Sequence, residues 1–382
     1  MSNGYRLFQI AMHPAFLACI AMTQTSPFSA MRSLDHLPEF QKDKEIVTTL
    51  EPVTTEFAWN EAIVSWNVSH ADGASLKIEG QAVYEDHSSR WYTLAEWAGN
   101  MHGGARRSVN DQKDDEGSVL TDTLRLQGMA KTLRLRITQR SVTDNTPELR
   151  FLGVSFTNTV GVPQDASAFK QAWGKVLDVP RRSQMPYENG HLKYNPDRVS
   201  SNFETWFKGV TSAQYCSPTS SSMVLNYWGK ALGRPDLAVD VPDVVVGVFD
   251  ENMPGTGNWP FNCAYMGSFV GIRSYVARLN GVSDLERLID AGFPVICSVA
   301  YNLLQGNGKP AGGDGHLVVL VGFEANGDPI FNDPGWSEKI RQTYKRADFV
   351  KAWGKSFNTV YLAYPESKEP PKAIGPAVLS HS

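Results

Sequence analysis

Gly312-Gly313-Asp314-Gly315-His316-Leu317-Val318-Val319-Leu320-Val321-Gly322-Phe323 runs through Glu324-Ala325-Asn326-Gly327-Asp328 into Pro329-Ile330-Phe331-Asn332-Asp333-Pro334. The apolar run after His316 predicts a buried strand, Asn326-Gly327 a two-residue hairpin turn, and the residues up to Asp333 the returning strand. A histidine therefore opens one strand and a carboxylate closes its antiparallel neighbour. A turn centred on Asn326-Gly327 sets Asp333 opposite Leu320, which shares a sheet face with His316. Ideal pairing still leaves the two side chains roughly 13 Å apart along the strand. To bring them together, the Asp333-Pro334 corner must bend back or the ladder must carry a bulge.

Far upstream, Gln214-Tyr215-Cys216-Ser217-Pro218-Thr219-Ser220 leads into Met223-Val224-Leu225-Asn226-Tyr227-Trp228-Gly229. Pro218 suits a first helical turn and Gly229 a terminator, so a helix is expected from about Ser217 to Tyr227. A thiol at its N-terminus feels the positive end of the helix dipole, which favours the thiolate. Packing alone is the competing role for such a cysteine. With His316 and Asp333 the types make a chemical set: a thiolate attacks a carbonyl, the histidine moves the proton, and the carboxylate orients the ring.

The chain resembles the bacterial C39-like cysteine peptidases. The likeness is carried by Val179-Pro180-Arg181-Arg182-Ser183-Gln184, by Cys216-Ser217-Pro218-Thr219-Ser220 through Gly229, by Gly257-Asn258-Trp259-Pro260-Phe261-Asn262, by Gly292-Phe293-Pro294-Val295, and by His316 through Pro334. The resemblance implies a papain-like fold with Cys216 as nucleophile, His316 as base, Asp333 as orienting acid and a glutamine donating to the oxyanion. In compact members that glutamine lies shortly before the nucleophile, whereas the residue six before Cys216 is Val210. Gln184 takes the role if residues from about Met185 to Ala213 are an insertion. Gln214 is the alternative, although a single residue separates it from Cys216.

Composition bounds the remainder. The chain has 382 residues, 20% charged and 42% hydrophobic, which fits two globular domains. A net charge of −4 gives no sign of a nucleic-acid partner. Between about 50 and 158 the pattern changes to period two: Val64, Trp66 and Val68 share a face, as do Leu76 and Ile78, Leu133, Leu135 and Ile137, and Leu152, Val154 and Phe156. This predicts an antiparallel β-sandwich ahead of the α+β domain at 176–365. Trp91 and Trp97 flank a loop-like stretch, where packing into the core is the first expectation and stacking on carbohydrate or docking cell-envelope material the alternative. A linker is expected from Thr157 to Lys175 and a disordered tail over 366–382.

Residues 1–30 carry the marks of a secretory signal peptide, with Arg6 ahead of two apolar runs and small residues near Ala30. His13-Pro14 interrupts the apolar core, and a cytoplasmic chain is the alternative. Beyond Cys19 and Cys216, the sequence holds Cys263 and Cys297, either a disulfide or two buried thiols. No metal-ligand spacing occurs, so neither metal nor cofactor is expected, and no membrane span. The function expected is peptide-bond hydrolysis through a thioester acyl-enzyme, with Trp259 and Phe261 walling the cleft and a peptide or protein as substrate. Acyl transfer or amide hydrolysis on a non-protein substrate is the alternative within the same chemistry. A non-catalytic binding protein is the alternative outside it.

Overall fold

In a computed structural model of the chain, residues 28–34, 36–69, 73–99, 106–142, 147–161, 163, 166–184, 214–310, 312–371 and 374 are described in full. Residues 187–188, 191–192 and 377–379 are described by backbone alone. The expected signal peptide before Phe28, Cys19 included, and most of the insertion at 185–213 lie outside the described residues.

The period-two segments form strands: β1 (Ser29–Leu34), β2 (Lys44–Thr49), β3 (Val53–Val68), β4 (Ala74–Val83), β5 (Tyr92–Ala98), β6 (Gly117–Leu120), β7 (Thr123–Ser141) and β8 (Leu149–Thr157). In β7 the expected alternation holds, with Leu133, Leu135 and Ile137 buried and Arg134 exposed. Among the described residues the strands join into one hydrogen-bonded sheet rather than two separate ones. One nine-stranded sheet runs β1-β8-β3-β7-β4-β5, with β2 and β6 also on β7 and a further strand from the C-terminus beside β1. The long strands β3 and β7 serve both halves, and register shifts flanking Trp59 let β3 bend between them. β1 extends this domain well upstream of residue 50. Trp97 is buried opposite Leu76 rather than presented to a ligand, and Trp91 is half-buried under the Arg136 guanidinium.

Between the domains lie a strand pair β9 (Tyr187–Glu188) and β10 (His191–Leu192). The C-terminal domain then alternates helices and strands: α1 (Cys216–Leu232), α2 (Val241–Val248), α3 (Trp259–Gly267), β11 (Ile272–Arg278), α4 (Val282–Asp290), β12 (Val295–Ala300), α5 (Tyr301–Leu304), β13 (Gly315–Phe323), β14 (Pro329–Asn332), β15 (Arg341–Thr343), α6 (Arg346–Gly354) and β16 (Thr359–Pro365). Six strands form an antiparallel sheet in the order β11-β16-β12-β13-β14-β15. The tail expected to be disordered instead carries β17 (Ala377–Leu379), parallel to β1. Its proline and glycine content hid a short strand that completes the N-terminal sheet.

α1 outruns its expected terminator. Gly229 lies inside the helix because the chain returns against it: a Cβ there would sit 3.0 Å from the Arg234 carbonyl oxygen and 3.1 Å from Leu237 Cβ. The stop is Gly233, whose φ of 65° is the left-handed cap conformation.

The domains share a core. The first half of β3 alternates, whereas Glu61–Val68 is buried on both faces because β11 and α3 cover the second one. The buried polar groups there are matched. Asn67 donates to the Ser274 carbonyl at 2.7 Å and accepts the Ser274 N–H at 3.0 Å, and Ser65 Oγ accepts the Val276 N–H at 3.0 Å. Each such bond nets about 1 kcal/mol, but leaving one partner buried alone costs more.

The expected linker ends in a strap across the second sheet. A 3-10 turn at Lys170–Ala172 precedes Trp173, whose indole N–H donates to buried Glu286 at 2.8 Å. The Leu177 N–H then donates to the Val321 carbonyl at 2.7 Å. This contact falls on a bulge in the β13/β14 ladder, between Leu320 and Gly322.

Candidate active site

The bulge decides whether His316 and Asp333 meet. The turn closes with Phe323 opposite Pro329, one residue off the expected register, and the bulge adds a second, so Phe331 is opposite Leu320 and Asp333 comes opposite Val318 instead of Leu320. Two residues of strand separation replace four, and the remaining gap of about 6.6 Å is within reach of two side chains on one face. The His316 Nε2–H donates to Asp333 Oδ1 at 2.7 Å. The Gly335 N–H donates to the same oxygen at 2.9 Å, so the corner after Pro334 curls back over the carboxylate.

Cys216 is the first residue of α1, as expected, and its helix is fastened to the strand of His316 by Ser220 Oγ, which donates to the Leu317 carbonyl at 3.1 Å. Ser217 and Thr219 through Ser222 are fully buried; these small side chains let the helix lie close on the sheet. The His316 ring acts on the Cys216 thiol closely enough to shift the pKa of both groups. With Nε2 committed to Asp333, Nδ1 is the nitrogen left for sulfur. Both residues are nearly enclosed, at 8% and 6% exposure.

Charge is redistributed across these three groups. Burial pushes the Cys216 thiol up, but the His316 hydrogen bond and charge, with the Leu317 and Ser217 N–H groups, bring it below its ordinary value. Burial pulls His316 down, and the Asp333 carboxylate and Cys216 sulfur outweigh it, raising the imidazole to about 10. Burial favours neutral Asp333, yet His316, the Tyr344 phenol and the Gly335 N–H hold it below the usual carboxylate range. The shifts run in the direction that favours the thiolate of one residue and the imidazolium of the other.

Sequence reasoning missed two aromatic members of this cluster. Tyr344 Oη donates to Asp333 Oδ2 at 2.5 Å, and the Tyr301 ring packs against the imidazole with centroids 4.3 Å apart. Neither stands at a telling spacing from His316 or Asp333; only the fold brings them in. Gly335 makes room, since a Cβ there would fall 3.1 Å from Tyr301 Oη and 3.4 Å from His316 Cε1.

The other expected site residues divide. Gln184 is buried, and its N–H donates to the Pro334 carbonyl at 2.9 Å, directly after Asp333. The Gln214 side chain is exposed, and its carbonyl accepts the Thr256 hydroxyl at 2.8 Å. Trp259 is half-buried and lines a pocket of about 240 Å³ with Gly257 and residues of the N-terminal domain. Phe261 does not wall a cleft: it is fully buried, edge-on to Trp66, because the N-terminal sheet covers that face of α3. Cys263 and Cys297 are free, buried thiols. Among the described residues, no group of three or more His, Cys, Asp or Glu side chains could hold a metal ion.

Comparison with known proteins gives the class first: a peptidase-type hydrolase behind a domain that accompanies such enzymes. Residues 176–360 match the C39-like peptidase family, and residues 41–157 match the peptidase C39 N-terminal domain. Over these two stretches the chain is similar to C39-type peptidases and to the domain found with them. A solved structure of a candidate C39-like peptidase from Bacillus anthracis is 16% identical, covering 50% of this chain and 98% of its own at a TM-score of 0.34. A search of curated proteins finds no match.

Proposed function

We propose that this chain is a cysteine peptidase of papain-like fold that hydrolyses peptide bonds through Cys216, His316 and Asp333. The observation that carries the proposal is the one thiol among the three described whose pKa is lowered, set against a histidine that is itself held by a carboxylate. The Cys216 thiolate attacks the carbonyl carbon, and the π electrons move onto oxygen. The imidazolium then gives its proton to the leaving amine as the C–N bond breaks, leaving a thioester. Water attacks that thioester while His316 takes its proton, and sulfur departs as thiolate with the acid released.

Asp333 keeps the ring oriented and its charge compensated throughout. Gln184 is the proposed side-chain donor to the oxyanion, supported by its burial and its bond to Pro334 at the end of the Asp333 corner. Such a donor contributes about 10²- to 10³-fold in rate. The test is hydrolysis of unfolded casein by the full chain and by Cys216→Ala. Turnover should fall by at least about 10⁴-fold in the variant; hydrolysis persisting at the wild-type rate would sink the proposal. Adding an amine acceptor such as hydroxylamine separates hydrolysis from acyl transfer, because a transferase would yield the amine adduct in preference to the acid.

A further inference from the structure

The turn between β6 and β7 carries Thr121 and Asp122 at φ of 48° and 64°, left-handed conformations that a β-branched residue such as Thr121 adopts only when held there. What holds them is the other domain. Asp122 is buried, and its Oδ2 accepts from Asn258 Nδ2 at 2.7 Å. Asn258 also caps α3 by accepting the Phe261 N–H at 3.1 Å. The hairpin tip of the N-terminal domain is thus locked onto the Gly257–Trp259 segment. That segment is tied in turn to the nucleophile's helix. The Thr256 hydroxyl donates to the carbonyl of Gln214, two residues before Cys216, and Asn262 links the Thr256 carbonyl to Ser221 of α1.

Between tip and segment lies the 240 Å³ pocket lined by Leu120, Thr121, Thr123, Arg125, Gly257 and Trp259. None of these residues is acidic, and Leu120 is 50% exposed. Arg125 pairs with Glu61 at 3.3 Å, but Glu61 already faces Arg278 at 2.6 Å, so one carboxylate stands between two guanidinium groups. Of these three side chains one positive charge is left over beside the indole, and burial raises the pKa of Asp122 on the β6–β7 turn to about 8, which favours its neutral form. The Arg125 side chain is 45% exposed, within reach of an incoming group.

We propose that this pocket is a substrate subsite built jointly by the two domains, which takes an acidic side chain of the bound polypeptide on Arg125 with its aliphatic stem against Trp259. The subsite rests on the peptidase reading above. It assigns the N-terminal domain a share in specificity that a separate carbohydrate-binding role would not give it.

The test uses peptides spanning the cleavage sites that the full chain leaves in unfolded casein, each made in pairs with Glu or Gln at successive positions around the cut bond. At one position Glu should be preferred in kcat/KM by about threefold at low salt, the size a half-exposed ion pair supplies. Arg125→Gln should erase that ratio, Arg125→Lys should keep it, and Arg125→Glu should turn the preference toward Gln. A Glu/Gln ratio unchanged by Arg125→Gln, or no position with a preference, overturns the subsite. If the wild-type chain cuts no peptide, the peptidase reading fails by itself. Fluorescence anisotropy of labelled poly-Glu and poly-Gln decapeptides on Cys216→Ala then judges the pocket: tighter Glu binding that is lost in Arg125→Gln supports it, and equal binding overturns it.

Discussion

Cys216 and Cys297 lie in one domain and are almost equally enclosed, yet their thiols are driven in opposite directions. Cys297 is on β12 opposite Val318, so it shares a sheet face with His316 and sits only about 6.6 Å along the ladder from it. Its thiol donates to the Val295 carbonyl at a long 4.0 Å, and burial pushes its pKa well up. Cys263 on α3 is raised by burial in the same way. Cys216 meets the same desolvation and is lowered nonetheless, because His316 and two backbone N–H groups face its sulfur. Burial therefore sets a common baseline, and the imidazole partner decides which thiol is driven toward the thiolate.

Alkylation is the most direct way to break this contrast. In a Cys19→Ser background at pH 7, iodoacetamide should modify Cys216 at least about 10³-fold faster than Cys263 or Cys297, since each unit of pKa is a tenfold change in thiolate. His316→Ala removes the main lowering cause and leaves the desolvation, so the pKa of Cys216 should rise and its labelling slow toward that of the other two. Mass-spectrometric mapping of label against time reads both effects. Rapid labelling of Cys216 in His316→Ala would show that the helix terminus, not the imidazole, activates the thiol.

Asp333→Asn sharpens the contrast from the other side of the ring. Asp333 helps raise His316 to about 10. The imidazolium therefore persists well above its ordinary range, and activity should be lost on the alkaline side only as pH approaches about 10. On the acid side, activity should fall as the thiolate takes up a proton below its lowered pKa. A neutral amide withdraws the carboxylate's support, so the alkaline limb must move to lower pH. Turnover should fall about 10²- to 10³-fold as the ring loses its orienting charge. The pH profile of kcat/KM measures the shift, and an alkaline limb still near 10 would remove Asp333 from the proposed machinery.

How much of this was legible varied with the range of the interaction. The cysteine at a helix start and the histidine opening a strand are local patterns, and the structure places both as the sequence indicated; the hairpin also forms, but over a three-residue turn, Ala325–Gly327, rather than the two-residue one expected. Gly229 and Phe261 were misread for a shared reason. What fixes them is a partner remote in sequence, the returning Arg234–Leu237 segment for one and the N-terminal sheet for the other. Tyr344 was invisible because its role depends on β14 and β15 pairing beside Asp333. The alternation of β3 and β7 was readable, but not that both strands would serve one continuous sheet.

The contact between His316 and Asp333 was readable only as a condition, that the ladder bulge or the corner bend. A three-residue turn and the bulge each shift the pairing by one residue and together meet it, and the strap explains why a bulge is stable there. The Leu177 N–H satisfies the carbonyl of Val321, the residue the ladder leaves over. Gly322 lets the strap approach, since a Cβ at that position would lie 2.2 Å from the Lys175 carbonyl oxygen and 2.9 Å from Val176 Cα. Both are backbone atoms that cannot rotate aside. Gly322→Ala should therefore cost about 1–3 kcal/mol, seen as a melting temperature lower by roughly 2–10 °C. If the strap pins the register, the alkaline limb of this variant should also drift downward, in the direction of Asp333→Asn but less far. Unchanged melting would show that the strap yields without cost, and a lowered melting temperature with an unmoved limb would show that the bulge holds Asp333 in place without it.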